Sequence, residues 1–366
     1  MTYGLNDICL IPARISDIEH RSQCNPYNAD NMLPLFTAPM SSVINESNYQ
    51  IFMDNKINTI IPRSVALPIR YDLMRKTFVA LSLSEFEGFA SLDLGDLVDD
   101  DVFYICVDIA NGHMRKLIDL CSSMKQKYGG RLILMAGNIA NPDTYVDYAK
   151  AGIDFVRVGI GGGSVCTTSA NGGVHFAMAS LIKEVVDRKW KIEKAILDAE
   201  KVRVKHVYQS VPFIVADGGF NNYDKIIKAL ALGADYVMVG KLFAQCEEAC
   251  GEEVTKIVPQ MYPDIAPIDS RRCVKTLLIK QQPQRHRVYY GMSTKKAQVE
   301  TGSQNLKTAE GIEVTVPILY FLNGWCDNFT HYLRSMMSYT NSHTLDDFKN
   351  TEYKLVSPSE YLAYYK

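Results

Sequence analysis

Residues 131–158 read RLILMAGNIANPDTYVDYAKAGIDFVRV, and this stretch decides the fold. Its two ends, Arg131–Ala136 and Asp154–Val158, are short and nearly continuous apolar runs. Runs of that kind suit parallel strands buried on both faces. Between them Asn141-Pro142-Asp143 supplies a helix N-cap, a proline at the first helical position and an acidic first turn, and Gly152 stops the helix. Strand, helix and strand therefore follow one another as a βαβ unit.

Working outward, the same alternation recurs on both sides. Strand-like runs precede the unit at Leu33–Ala38, Ile57–Ile61, Thr77–Leu83 and Val102–Asp108, and follow it at Pro212–Ala216 and Asp235–Val239. After Asp108, the residues Met114, Leu117, Ile118, Cys121 and Met124 fall on one helical stripe, and Gly233 closes a helix starting near Tyr223. Eight such units predict an α/β protein: a closed (β/α)8 TIM barrel over residues 1–366, with insertions at about 182–207 and 252–287. An open doubly wound sheet would want a nucleotide fingerprint after its first strand, and Leu33–Met40 offers none. Ile182–Val207 reads as an additional charged helix. The second insertion carries Arg271, Arg272, Lys275, Lys280, Arg285 and Arg287, but almost no interleaved aromatics, so it reads as a solvated excursion rather than a nucleic-acid patch. The acidic stretch Asp93–Asp101 reads as a solvated loop.

Composition narrows the function. With 366 residues, 47% of them hydrophobic and 22% charged, the chain is an ordinary globular one. A net charge of −2 leaves no basic surplus for holding nucleic acid or an acidic membrane. Met1–Pro12 lacks the pattern of a signal peptide, and no apolar run approaches the ~18 residues of a membrane span. Nine cysteines, an odd number without framework spacing, read as reduced thiols in a cytoplasmic protein.

In a barrel the chemistry sits at the C-terminal ends of the strands. The loop after the sixth run, Gly159-Ile160-Gly161-Gly162-Gly163-Ser164-Val165-Cys166-Thr167-Thr168, offers backbone amides to an anion and a cysteine in a position to be a nucleophile. Asp217-Gly218-Gly219 and Gly240-Lys241 follow the seventh and eighth runs, where barrels commonly cradle phosphate. Asp217 reads equally as a ribose acceptor or a helix cap, and Asp108 before Ala110-Asn111-Gly112 as a second ligand's partner or a turn cap. Cys246 and Cys250 lie four apart with no histidine pair nearby, so they read as plain thiols rather than a zinc site. Neither a P-loop nor a Ser-His-Asp signature is evident.

The loop GIGGGSVCTT (159–168), with VDIANG (107–112), MAGN (135–138), VADGG (215–219), YGMS (290–293) and AEG (309–311), resembles the IMP dehydrogenase/GMP reductase family. The resemblance implies a (β/α)8 barrel, usually a homotetramer, that binds a purine nucleoside monophosphate and a nicotinamide cofactor. It implies that Cys166 attacks purine C2, with Thr168 and Glu310 as a proton-transfer pair. By the same resemblance Ser164, Asp217, Gly218, Gly219, Gly240, Lys241, Gly291, Met292, Ser293, Lys307 and Gly311 fall in the substrate motifs. Asp108, Ile109, Ala110, Ile160 and Gly161 fall at cofactor positions, and Ser335 and Ser338, beside Arg334, fall where a neighbouring subunit reaches the cofactor. The carbonyls of Gly161, Gly163 and Cys166 match a monovalent-cation (K+) site.

Within the family the likeness is closest to GMP reductase. Lys295–Ala309 contains neither the arginine nor the tyrosine with which dehydrogenases activate water, Ser293 stands where dehydrogenases carry glycine, and no CBS module fits between Pro62 and Thr77. The expected reaction is reductive deamination of GMP to IMP with NADPH, NADH being the other possible donor. The alternative is an IMP dehydrogenase without its CBS module, oxidising IMP to XMP with NAD; a silent nucleotide-binding protein is the rival outside enzymology. Lys307, Ala309, Ser169 and Lys241 depart from the reductase pattern and leave the purine itself open.

Overall fold

The computed structural model describes residues 2–91, 101–201, 208–264, 276–302, 308–357 and 360. Each of the eight apolar runs overlaps a strand, with two strands running past the expected end: β1 Leu35–Thr37, β2 Ile60–Ile61, β3 Phe78–Leu81, β4 Phe103–Asp108, β5 Leu132–Ile139, β6 Phe155–Val158, β7 Phe213–Asp217 and β8 Tyr236–Val239. They pair in parallel, in the order β1-β8-β7-β6-β5-β4-β3-β2. The circle closes where Phe36 bridges to Asn58: the Thr37 amide donates to the Asn58 carbonyl (2.9 Å), and the Asn58 amide donates to that of Leu35 (3.1 Å). The Thr37 hydroxyl accepts from the Ile60 amide (3.1 Å), so one side chain substitutes for a ladder bond at the seam.

The helix signals act as their chemistry requires. Asn141 accepts the Asp143 amide at 2.9 Å, and Pro142 starts a helix that runs to Ala151. The stripe after Asp108 becomes the helix Arg115–Tyr128, burying Leu117, Cys121 and Met124 against the barrel wall. Between β2 and β3 the chain has room only for the helix Leu67–Leu73.

The stretch 182–207 is not a separate helix up to residue 201. The helix after β6 runs unbroken over Met178–Lys201 and buries Leu181, Ile182, Val185 and Val186. It is the barrel's own helix extended; residues 202–207 lie outside the described residues. The second insertion is an antiparallel hairpin, β9 Glu253–Asp264 with β10 Thr276–Tyr290, extended by β11 Glu313–Pro317. Two of its basic residues hold the root of that hairpin. Arg285 pairs with Glu247 (2.9 Å) and Glu253 (2.8 Å), while buried Arg287 donates to the carbonyls of Ala244 (2.8 Å) and Cys246 (2.6 Å) and to Glu253 (2.9 Å). Arg271, Arg272 and Lys275 lie outside the described residues, as do residues 93–100 of the acidic stretch.

Cysteines 9, 24, 106, 121, 166, 246, 250 and 326 are free thiols, and among the described residues no helix is long and apolar enough to cross a membrane. Inside the barrel, one end is filled by aromatic rings. Phe36 meets Phe78, Phe155 and Tyr236 at centroid separations of 5.7, 5.9 and 5.1 Å. Phe36 is almost wholly buried, and removing its ring would open a cavity between four strands. Phe36→Ala is expected to destabilise the fold by about 3–5 kcal/mol, read as a lowered midpoint in urea unfolding.

Candidate active site

Side chains alternate along a strand, so the inward column of each strand climbs from the aromatic floor toward the C-terminal rim. On β6 the column is Phe155 then Arg157, on β4 Cys106 then Asp108, and on β7 Val215 then Asp217. The upper members form a buried charged layer. The Arg157 guanidinium donates through Nη1 to Asp108 Oδ1 and through Nη2 to Asp217 Oδ2 (2.9 Å). Arg63, in the loop after β2, lies 3.5 Å from the other Asp108 oxygen. Asn138 at the end of β5 donates to Asp217 Oδ2 (2.7 Å) and to the Gly159 carbonyl (2.8 Å). Burial works to raise the Asp108 pKa, but Arg157 and Arg63 outweigh it and hold this carboxyl below the usual carboxylate range.

Two glycines make room for this layer. A Cβ on Gly137 would fall 2.6 Å from the Arg157 Cβ. Gly159 has φ +136°, and a Cβ there would lie 2.1 Å from the Asp217 carbonyl oxygen. The cysteine loop therefore leaves β6 pressed against the β7 rim.

That loop is tied to the two C-terminal motifs by backbone bonds. Cys166 bridges antiparallel to Gly311, the Thr167 amide donates to the Glu310 carbonyl (3.0 Å), and the Ile312 amide donates to Val165 (3.0 Å). The Glu310 amide in turn donates to Ser293 (3.3 Å). Three segments distant in sequence thus arrive side by side, and their side chains make a line. The Cys166 thiol donates to Thr168 Oγ1 at 3.3 Å, and Thr168 Oγ1 donates to Glu310 Oε2 at 2.9 Å. A thiol, a hydroxyl and a carboxylate in series can pass a proton from sulfur to carboxylate and back.

All of this faces one cavity of about 780 Å³, within the ~300–1,000 Å³ typical of small-molecule sites. Its lining brings together Cys166, Thr168 and Glu310 with Ser164, Asp217, Gly218, Gly219, Gly240, Lys241, Gly291, Met292 and Ser293. Asp108, Ile109, Ala110, Ile160, Gly161 and Gly163 line it as well. Gly311 stands behind the wall, where a Cβ would press on the Val165 carbonyl (3.0 Å). Ser335 and Ser338 do not line the cavity: they lie on the helix Leu322–Tyr339, bonded within that helix and to Arg21 and Ser16 of the N-terminal segment. Lys307 lies outside the described residues. The Gly161 carbonyl accepts from Ser169 Oγ (2.9 Å) and that of Gly163 from the Cys166 amide (3.1 Å), which leaves each a second lone pair for a cation. Cys246 and Cys250 donate to the carbonyls of Leu242 and Ser41, and no metal-binding group of His, Cys, Asp and Glu occurs among the described residues.

The motif reading missed several residues that line the same cavity: Arg63, His113, Asn138, Arg157, Lys225 and Tyr289. Arg157 carried a signal, since a guanidinium inside an apolar strand demands buried carboxylates. Tyr289 is buried with its hydroxyl bonded to Ser164, and burial pushes its pKa up, so it stays a neutral hydrogen-bonding group. His113 Nε2 accepts the Ala140 amide (3.1 Å), which assigns the proton to Nδ1, facing Thr144 Oγ1 at 2.8 Å. Burial lowers its pKa, in keeping with a neutral ring.

Comparison with known proteins agrees with this geometry. Residues 79–361 match the family model described as the IMP dehydrogenase / GMP reductase domain. The chain is similar to a GMP reductase of Vibrio cholerae, 26% identical over 99% of this chain and 96% of that protein. It is similar to an inosine-5'-monophosphate dehydrogenase of Chlorobaculum tepidum, 31% identical over 70% of this chain, and to a GMP reductase of Onchocerca volvulus, 25% identical over 75% of it. The chain spans 46% of the Chlorobaculum protein's length and 64% of the Onchocerca protein's.

The charged layer makes a pH prediction. Because the folded Asp108 pKa is depressed, its contribution to stability is fully present above about 3.9, the unfolded value, and is lost as pH falls through the folded value. Asp108→Asn is expected to be less stable than wild type at neutral pH. The gap, measured by denaturant unfolding across pH, should narrow below about pH 4.

Proposed function

The chain belongs to the IMP dehydrogenase/GMP reductase family of oxidoreductases, and from that membership we propose that it is a GMP reductase, converting GMP to IMP and ammonia at the expense of NADPH. The observation that carries the direction is the series Cys166–Thr168–Glu310. Expelling ammonia from purine C2 needs a proton delivered to the departing amine, and a hydroxyl backed by a carboxyl group supplies one. Hydrolysing the same intermediate, as a dehydrogenase must, needs a base for water, and the segment 295–309 contains neither arginine nor tyrosine.

The chain's own residues then act as follows. The thiol proton of Cys166 passes through Thr168 Oγ1 to Glu310, and the thiolate bonds to C2 of GMP. Glu310 returns the proton through Thr168 to the 2-amino group, the C2–N bond breaks, and ammonia leaves a thioimidate on Cys166. Glycine amides of Gly218, Gly219 and Gly240, with Ser164 and Lys241, take the 5'-phosphate; Asp217 accepts from ribose hydroxyls; Gly291, Met292 and Ser293 surround the base. Asp108, Ile109, Ala110, Ile160 and Gly161 form the wall for the nicotinamide, and Asp108 suits it as an oriented carboxylate held by Arg157 and Arg63. When bound, NADPH (or NADH) supplies the hydride that displaces sulfur from C2 and leaves IMP. The carbonyls of Gly161, Gly163 and Cys166 would hold a monovalent cation that stiffens the cysteine loop. Ser335 and Ser338 serve a neighbouring copy's cofactor in a homotetramer, to which exposed Phe321, Tyr332 and Tyr339 give an apolar contact surface.

Incubation with GMP plus NADPH, and separately with IMP plus NAD, decides the direction through the near-ultraviolet absorbance of reduced nicotinamide. Loss of absorbance with GMP is expected; a gain with IMP alone would establish the dehydrogenase reading instead. Cys166→Ser should abolish turnover while GMP still binds, and near-normal rates would remove the covalent route. Thr168→Val should slow turnover by about 10²–10⁴-fold with little change in KM.

A further inference from the structure

Two lysines line the cavity with no salt bridge among the described residues. Lys225 lies in the first turn of the helix Tyr223–Ala231 that follows β7, Lys241 opens the helix Lys241–Ala244 that follows β8, and both are half-buried lining residues. Among the described residues Lys241 Nζ makes no hydrogen bond or ion pair, and Lys225 Nζ has a single neutral acceptor, Asn221 Oδ1 at 3.0 Å. The carboxylates within reach of the region are already engaged. Asp217 is held by Arg157 and Asn138, Asp224 by Lys228 (2.9 Å), and Glu310 by Thr168. Burial lowers the Lys225 pKa; Asp224 works against that shift and Lys228 adds to it. An ammonium group desolvated in this way is relieved by an incoming anion.

We infer that Lys225 is a second phosphate-binding cation of this site, acting with Lys241 to take the substrate as its phosphate dianion. The inference rests on the reading of the cavity as a nucleoside monophosphate site and adds to it a residue that decides between nucleotide and nucleoside. Two ammonium groups neutralise a dianion that one would leave half-compensated. Phosphate could also arrive on the dinucleotide, but Lys225 Nζ is held by Asn221, two residues beyond the Gly218–Gly219 turn, and we assign it to the substrate on that ground.

Calorimetric titration of GMP, guanosine and inorganic phosphate into wild type, Lys225→Gln and Lys225→Arg tests this, with the KM for NADPH measured alongside. Lys225→Gln is expected to weaken GMP and inorganic phosphate by about tenfold and to leave guanosine and NADPH unchanged, while Lys225→Arg recovers most of the loss. Unchanged GMP affinity, an equal loss for GMP and guanosine, or a loss confined to NADPH would each overturn the assignment. If GMP fails to bind the wild type, the functional reading falls by itself, and the inorganic-phosphate titrations still decide the role of Lys225.

Discussion

A single guanidinium organises the top of this barrel. Arg157 stands buried between Asp108 and Asp217, and its hydrogen bonds join the C-terminal ends of β4, β6 and β7. Three ionised groups in a protein interior are costly to desolvate, and they persist only where geometry satisfies each of them. Here Asn138 and Arg63 complete the arrangement, and the aromatic floor of Phe36, Phe78, Phe155 and Tyr236 closes the barrel beneath it. Removing Arg157 would leave two carboxylates facing each other across the rim. The positions of the loops that leave those strands depend on that not happening.

The Cys166 loop sits one step away from this layer. Gly159 lets the chain turn tightly over Asp217, and the loop beyond it is fastened to residues 310–312 by backbone bonds. Strand ends therefore carry the buried charged layer, whereas Cys166, Thr168 and Glu310 come from loops locked to one another. The hairpin β9–β10 contributes through its root: Arg287 anchors it to the Ala244 and Cys246 carbonyls, and Tyr289 on β10 reaches Ser164 in the cysteine loop.

Much of this was legible in the chain as written. The period of apolar runs, the Asn141 cap with Pro142, and Gly152 gave the barrel, because buried parallel strands and capped amphipathic helices leave direct marks in composition. Most of the motif residues line one cavity for the same reason: in this architecture the ends of strands share one rim, whereas Gly311, Ser335 and Ser338 lie outside its lining. Where the reading failed, charge was the cause. Residues 182–201 carry many charges on their outward face, and a stripe of Leu181, Ile182, Val185 and Val186 on the other face was not recognised as the continuation of the barrel helix. Arg285 and Arg287 looked like a solvated basic tract because their partners, Glu247, Glu253 and two backbone carbonyls, become neighbours only when the hairpin folds.

By itself the sequence determined the eight-fold alternation, the loop that carries Cys166 and the motifs that share its rim, since periodicity and turn chemistry act over a few residues. Only the tertiary structure decided which charges meet. Arg157 with its two aspartates and Thr168 with Glu310 are relations between residues dozens of positions apart or more. Hydrogen bonds and ion pairs act over a few ångströms, so barrel closure had to bring those residues together before such relations could exist.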